Sequence, residues 1–359
     1  MKKIICVLKR KFMFCVWGIQ IIFGYLLNAL TLKKEDMAFF NPSLDTENLG
    51  DNIIAYYCKE ALKNYFDSDT TYEVPTHYLM DSRVYCKLLK YKRKIVFGTN
   101  LITPNFEKFS IWTIPRSCVG FHNTITLGVG SGSSGEEVSK FSKLVYRSIF
   151  SSMGIHSVRD SSTEKLFHKM GIHNVVNTGC PTLWKLTPEH CKDIPKHKAN
   201  KVIATVTDYD RDLVQDKKML SILKDEYEEV YIWLQGIDDQ EYLEILGVCN
   251  DVKIIERDLE KYTQMLNEGE IDYIGTRLHA GIHALNHKVR SLIISIDNRA
   301  EEMNKDFLLP VLKRSQIDKD LRTWIYGQQE TKLKLPWEQI EKWKNQFDNR
   351  IKQYCFLTE

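Results

Sequence analysis

Past residue 35, short apolar runs alternate with stretches whose apolar residues recur every three or four positions. The runs Met37–Phe40, Ile95–Gly98, Thr124–Gly130, Ile155–Val158 and Val175–Asn177 read as buried strands. Between them, Ile53–Phe66, Phe141–Phe150 and Thr163–Met170 carry the period of helices with one apolar face. Lys185–Lys201, proline-bearing and lysine-rich at its end, breaks the pattern as a linker. The alternation restarts with Val202–Val206, Val230–Leu234, Val252–Ile255, Ile271–Gly275 and Leu292–Ile296. Strands separated by helix-length crossovers predict parallel sheets. The expected fold is α/β: two Rossmann-like domains, residues 35–190 and 191–315, joined at a hinge.

Both ends depart from this rhythm. Phe12–Leu32 holds no charged residue, and it lies between Lys9-Arg10-Lys11 and Lys33-Lys34. That is long enough to cross a bilayer, but Gln20, Asn28 and Thr31 interrupt it. Three readings of residues 1–34 stand side by side: a membrane attachment, a buried helix of the fold, and a signal peptide. We take a monotopic attachment with the rest of the chain in the cytoplasm. At the other end, residues 316–359 form a helical tail. After Pro336, Trp337, Ile340, Trp343, Phe347, Ile351 and Tyr354 line one helical face, expected to pack on the core or to meet a membrane or partner.

Composition removes several function classes. Apolar content of 43% and charged content of 27% are those of a globular protein with room for two cores. A formal charge of +3, with no basic stripe interleaved with aromatics, argues against nucleic acid as partner. Nine cysteines without a C-x-x-C pair fit reduced thiols better than a disulfide framework.

The chemistry concentrates in Gly-Thr-Arg-Leu-His-Ala-Gly-Ile-His-Ala-Leu at 275–285. An apolar run precedes it, and Leu278, Ile282 and Leu285 give it a helical period. Arg277 and His279 therefore sit where a parallel strand ends and a helix begins, outside the carboxyl ends of the strands where α/β sheets bind ligands. Free N–H groups and the positive dipole end there favour an anion. Arginine and histidine add a phosphate or carboxylate clamp and a group that titrates near neutrality.

Other strand ends are weaker candidates. In Asn48-Leu49-Gly50-Asp51, Asp51 or Asn52 is expected as a helix N-cap after a turn at Gly50. In Ser157-Val158-Arg159-Asp160-Ser161, Asp160 or Ser161 caps a helix and leaves Arg159 at the strand end. Gly179-Cys180-Pro181 is a turn, and Gly130–Gly135 a flexible loop without a P-loop lysine. His279, His283 and His287 share a helical face as zinc ligands do, but the glutamate of H-E-x-x-H is missing. No metal is expected.

Taken in order, Asn-Leu-Gly-Asp, Val-Arg-Asp-Ser, Gly-Cys-Pro, Gly-Thr-Arg-Leu-His-Ala and Ser-Ile-Asp-Asn-Arg resemble the polysaccharide pyruvyl transferase family. The resemblance runs from about residue 37 to about 310 and is strongest at Arg277-Leu278-His279. Arg290-Ser291 stands where the family often has a small residue and proline. The resemblance implies two facing Rossmann-like domains of GT-B type. It also implies transfer of the pyruvyl group of phosphoenolpyruvate onto two sugar hydroxyls, forming a cyclic ketal and releasing phosphate. It assigns donor binding to Asp51, Arg159, Arg277, Leu278 and His279, with His279, Arg277 and Arg159 catalytic. The implied partners are phosphoenolpyruvate and a saccharide or lipid-linked saccharide, with no cofactor beyond the donor. A GT-B glycosyltransferase using a nucleotide sugar, and a non-catalytic membrane-attached partner in glycan assembly, remain as alternatives.

Overall fold

The structure, a computed structural model, describes residues 2–32, 35–66, 71–132 and 136–348. The chain forms two compact units. Unit one takes the described parts of 1–44, 59–180 and 336–359; unit two takes 45–58 and 181–335.

Unit one contains α1 (Lys2–Leu30), β1 (Glu35–Asn41), β2 (Tyr72–Pro75), α3 (Ser82–Leu88), β3 (Tyr91–Phe97), β4 (Thr124–Leu127), α4 (Lys140–Ile149), β5 (His156–Val158), α5 (Ser161–Met170), β6 (Val175–Asn177) and α13 (Trp337–Asn345). Helix α2 (Leu49–Leu62) follows β1 in the chain. Strands pair in parallel in the order β2-β1-β3-β4, and β5-β6 pair in parallel beside them. A parallel bridge Val129↔Val158, just past β4, links the two sets. The strand order reverses between β1 and β3, a topological switch point. The core gathers Phe40, Val96, Trp112, Phe121, Tyr146, Phe150 and Phe167.

Unit two contains α6 (Pro188–Lys192), β7 (Lys201–Thr205), α7 (Leu213–Glu226), β8 (Glu229–Trp233), α8 (Asp239–Leu246), β9 (Lys253–Ile255), α9 (Leu259–Asn267), β10 (Ile271–Gly275), α10 (Leu278–Asn286), β11 (Ser291–Ser295), α11 (Asn298–Phe307), β12 (Val311–Lys313) and α12 (Ile317–Tyr326). Its six strands are all parallel, in the order β12-β11-β10-β7-β8-β9. Counted from β7, that is the Rossmann order, with the switch point between β7 and β10. Every residue of β10 and β11 is buried, as a parallel sheet covered on both faces requires.

The α/β reading with parallel sheets holds, and the boundaries move. The expected division at 190/191 falls instead between Cys180 and Pro181, and residues 45–58 pack with unit two. Part of the expected linker is helical. Thr187 caps α6 by accepting from the His190 N–H, and His190 Nε2 lies 2.9 Å from the Leu285 carbonyl. The tail 316–359 does not act as one piece. Helix α12 joins the unit-two core through Ile317, Leu321 and Ile325. Helix α13 joins unit one, where Trp343 Nε1 donates to the Thr126 carbonyl at 3.1 Å. Ile351 and Tyr354 lie outside the described residues, as do 133–135 of the serine–glycine loop.

Helix α2 begins four residues before its expected start, because the Asn48 side-chain oxygen accepts from the Gly50 N–H. Asp51 is therefore not the N-cap, nor is Asn52; both fall inside the helix. Strands β2 and β12 escaped the pattern because four and three residues are too few to show a period. The Thr124–Gly130 run stops at Leu127, since Gly128 turns left-handed at φ +66°.

Arg290, at the departure from the family pattern, has a structural task. It donates to Asp272 Oδ2 at 2.6 Å and to the Trp324 and Ile325 carbonyls at the end of α12. It also stacks on the Trp324 ring at 4.0 Å.

Candidate functional site

The site in unit two assembles at the switch point. Strands β7 and β10 end side by side, Thr205 opposite Gly275, and their exits carry Val206–Tyr209 and Thr276–Arg277. Arg277 is the N-cap residue of α10 and has extended backbone, which turns its side chain back across β7. Nε donates to the Val206 carbonyl at 3.0 Å and Nη2 to Asp208 Oδ1 at 2.8 Å. A second Nη2 bond goes to Asp239 Oδ1, whose carboxylate also accepts from the Gln235 and Gly236 N–H groups. Asp239 thus ties the β8 exit to the arginine. Nη1 has no acceptor among the described residues. Gly236 lies flat against the guanidinium, and a Cβ there would overlap Nη2.

Tyr209 extends the cluster. The guanidinium carbons of Arg277 and Arg299 lie 5.1 and 5.9 Å from its ring centroid, and Arg299 Nη2 donates to its hydroxyl at 2.6 Å. Arg299 follows β11 and is oriented by Asp297, the N-cap of α11. Three strand exits thereby bring two arginines and Tyr209 to one place.

The turn before α2 docks on the same end of this sheet. Asn48 bridges Gly236, the Leu49 N–H donates to the Gln235 carbonyl at 3.2 Å, and Gln235 Nε2 donates to Asn48 Oδ1 at 2.7 Å. Asp51, buried in the first turn of α2, accepts from Thr46 Oγ1 at 2.8 Å. The loop that seats Arg277 is therefore also the loop that seats the Asp51 turn.

Leu278 and His279 open α10 and are both buried, at 6% and 7% exposure. The first N–H groups of a helix lack intrahelical acceptors, so this turn presents donors beside the arginine. One turn deeper, His283 is a structural residue. Its Nδ1 lies 3.1 Å from the Tyr57 hydroxyl and its Nε2 3.0 Å from Thr263 Oγ1. His287 bonds the Asn267 side-chain oxygen at 2.8 Å. Both ring nitrogens of His283 are thus engaged with hydroxyls of the surrounding core.

Unit one builds a parallel feature. Arg159 follows β5, and Asp160 caps α5 by accepting from the Thr163 N–H at 2.7 Å. Arg159 is buried, with Nη2 donating to Asn100 Oδ1 at 2.7 Å and Nε near Asp160 Oδ2 at 3.3 Å. Asn100 lies just past β3, and Gly130, just past β4, lies against the guanidinium where a Cβ would overlap it. In both units an arginine at a strand exit rests on the glycine of a neighbouring exit.

Sequence reasoning singled out Asp51, Arg159, Arg277, Leu278 and His279. Four of these meet at one end of the unit-two sheet, and Arg159 stands at the corresponding end in unit one. It missed Asp208, Tyr209, Gly236 and Asp239, and met Arg299 only as the end of Ser-Ile-Asp-Asn-Arg, without a role. The run Thr-Asp-Tyr-Asp directly after a strand was a usable signal for the first two. Asp239 looked like any acidic residue opening a helix.

Two buried histidines set an acid limit on the fold. Burial pushes His283 down to about 3 and His156 down to about 4, against about 6.5 in an unfolded chain. Between those values the unfolded chain binds protons that the fold does not. Stability is then full above about pH 6.5 and falls as pH drops toward 4, by up to roughly 3–5 kcal/mol per histidine. Melting temperatures taken downward from neutrality should show this decline. His156→Gln and His283→Gln, each starting from lower stability, should flatten it, and an unchanged slope in both would contradict the cause.

Comparisons with known proteins place the chain. Solved structures that superpose on it include the UDP-GlcNAc 2-epimerase of Methanocaldococcus jannaschii in complex with UDP-GlcNAc and UDP, at 11% identity and TM-score 0.47, covering 90% of this chain and 100% of that one. The S. aureus MnaA–UDP co-structure matches at 11% identity and TM-score 0.42, covering 92% and 98%. The E. coli heptosyltransferase WaaC with ADP-2-deoxy-2-fluoro heptose matches at 8% identity and TM-score 0.32, covering 72% and 88%. Likeness this remote says nothing of substrate. No curated protein matches the chain. The family model for polysaccharide pyruvyl transferases, in contrast, matches residues 48–298, from the Asn48 turn through β10, Arg277 and β11. That span is most of the sequence and holds Asp51, Arg159, Asp239, Arg277 and His279, with Arg299 one residue beyond it, so the chain belongs to the polysaccharide pyruvyl transferase family.

Proposed function

We propose that the protein transfers the pyruvyl group of phosphoenolpyruvate onto two hydroxyls of a saccharide or lipid-linked saccharide, forming a cyclic ketal and releasing phosphate. The observation that carries this reading is Arg277 capping α10 at the unit-two switch point, with His279 in the first turn. Phosphoenolpyruvate is a compact anion with a phosphate and a carboxylate, each suited to a guanidinium fork. Asp239 is the structural partner of Arg277, with its side chain 1% exposed. Asp208, at 12% and on the loop, is the partner an anionic donor displaces. Arg299 and the α10 N–H groups supply further donors, and Asp51 and Leu278 shape the wall.

The chemistry starts with a proton delivered to the methylene carbon of the enol by His279. Positive charge develops at the carbon bearing phosphate. A sugar hydroxyl attacks that carbon and gives its proton back to the now neutral His279, the C–O bond to phosphate breaks, and phosphate leaves with the electron pair. The second hydroxyl then closes the ring and its proton is taken up by base. Arg277 acts by neutralising the donor and the departing phosphate, and Arg159 offers a second buried guanidinium at a strand exit of unit one. The scheme draws on no metal and no cofactor beyond the donor. Phosphoenolpyruvate is made in the cytoplasm, which sets the side of the membrane for a peripherally attached enzyme.

Tyr209, the exposed aromatic at this site, has two guanidinium groups over its ring, so it favours an anion over a stacked nucleobase. Donor identity is tested by thermal shift. Phosphoenolpyruvate should raise the melting temperature at concentrations where UDP and ADP do not, and the reverse pattern would favour a nucleotide-sugar donor.

A further inference from the structure

From Phe12 to Leu30 helix α1 carries no charged residue, and among the described residues one stripe of it meets protein. Ile21, Gly24 and Asn28 are buried against unit one, and Trp17 packs on Phe141 with ring centroids 4.2 Å apart. Ile21 belongs to the unit-one core. The opposite side leaves Phe12, Ile19, Ile22, Phe23, Leu26 and Leu30 more than half exposed. A helix without a polar face is a buried helix, so the outer face needs cover. Among the described residues no helix is long and apolar enough to cross a membrane. The packing of the middle of α1 on the core also forbids spanning.

Charge chooses among the remaining covers. The first 34 residues carry seven lysines and arginines, Lys2, Lys3, Lys9, Arg10, Lys11, Lys33 and Lys34, and no acidic residue. A second copy of the helix would bring these like charges together, whereas anionic headgroups would neutralise them.

The structure assigns α1 to the plane of an anionic membrane surface: its outer face enters the acyl boundary, and unit one takes the place of the polar face of an ordinary interfacial helix. This rests on the proposed peripheral attachment but not on the transfer chemistry. Deleting the segment would strip Trp17 and Ile21 from the core, so the test substitutes the outer face alone. The full chain should float with vesicles of phosphatidylcholine plus phosphatidylglycerol, more weakly with phosphatidylcholine alone, and less as salt rises. The combined variant Ile19→Gln, Ile22→Gln, Phe23→Gln, Leu26→Gln should lose vesicle affinity by roughly 100-fold or more. Its melting temperature and its turnover of a soluble acceptor should be unchanged. Wild-type protein that stays unbound, or a variant that floats as well, overturns the assignment. So does a lipid-free dimer that the variant converts to monomer, which would make a second copy the cover. Flotation needs neither donor nor acceptor, so a failed transferase assay leaves this result intact, and the converse also holds.

Discussion

His279→Gln is expected to lower turnover by roughly 10²–10⁴-fold, the usual contribution of a positioned proton donor, with little change in donor binding. The expectation comes from place. His279 is buried in the first turn of α10, two residues after the Arg277 cap and beside the exit of β7. Glutamine preserves a hydrogen-bonding group but cannot carry a proton to carbon. A purely binding role would show the opposite split, a raised donor constant with turnover largely kept. His283→Gln is the control. Its two ring nitrogens serve Tyr57 and Thr263, so the variant should lose stability, by about 1–3 kcal/mol, and not turnover per folded molecule. Equal turnover losses at both positions, or near-normal turnover in His279→Gln, would remove His279 from the chemistry.

Arg277→Lys should be as severe by a different route. A guanidinium reaches the Val206 carbonyl, Asp208 and Asp239 at once, and an ammonium cannot hold all three from one point. Asp239 is fully buried, and weakening its ion pair costs on the order of 3–5 kcal/mol. The melting temperature should fall and the apparent donor constant should rise strongly. Gly236→Ala reaches the same end with the arginine in place, because its Cβ occupies the space of Nη2. Arg159→Lys breaks the fork to Asn100 and Asp160 in unit one and should raise the donor constant with a smaller loss of stability. Wild-type donor kinetics in either lysine variant would take that arginine out of the site.

The strands and helices that carry this site were readable because the parallel sheets are buried on both faces. Continuous apolar runs such as Ile271–Gly275 stand out against polar loops. The Arg277–His279 junction was readable for the same reason, since a strand signal and a helix signal meet there. What escaped depends on contacts far apart in the chain. Nothing in the order of residues links Asp239 to Arg277, or Tyr57 to His283 across more than two hundred positions. Discontinuous units have the same origin, because residues 45–58 join unit two through bonds to Gln235 and His283 that no local pattern announces. The N-terminal segment left three readings open, a membrane attachment, a buried helix and a signal peptide, because a local apolar run does not tell which side meets protein; α1 has one stripe in the core and an exposed outer face.

The central claim is the transfer of an intact pyruvyl group, and isotope-labelled phosphoenolpyruvate tests it most directly. Incubation of the full chain with carbon-labelled donor and a panel of nitrophenyl and lipid-linked sugars should release phosphate only when an acceptor with two suitably placed hydroxyls is present. The labelled three-carbon unit should appear on that acceptor as an acid-labile ketal, and both signals should vanish in His279→Gln. Phosphate release without label on any acceptor, or label transfer absent while a nucleotide sugar yields nucleoside diphosphate and a glycosylated product, would contradict the account.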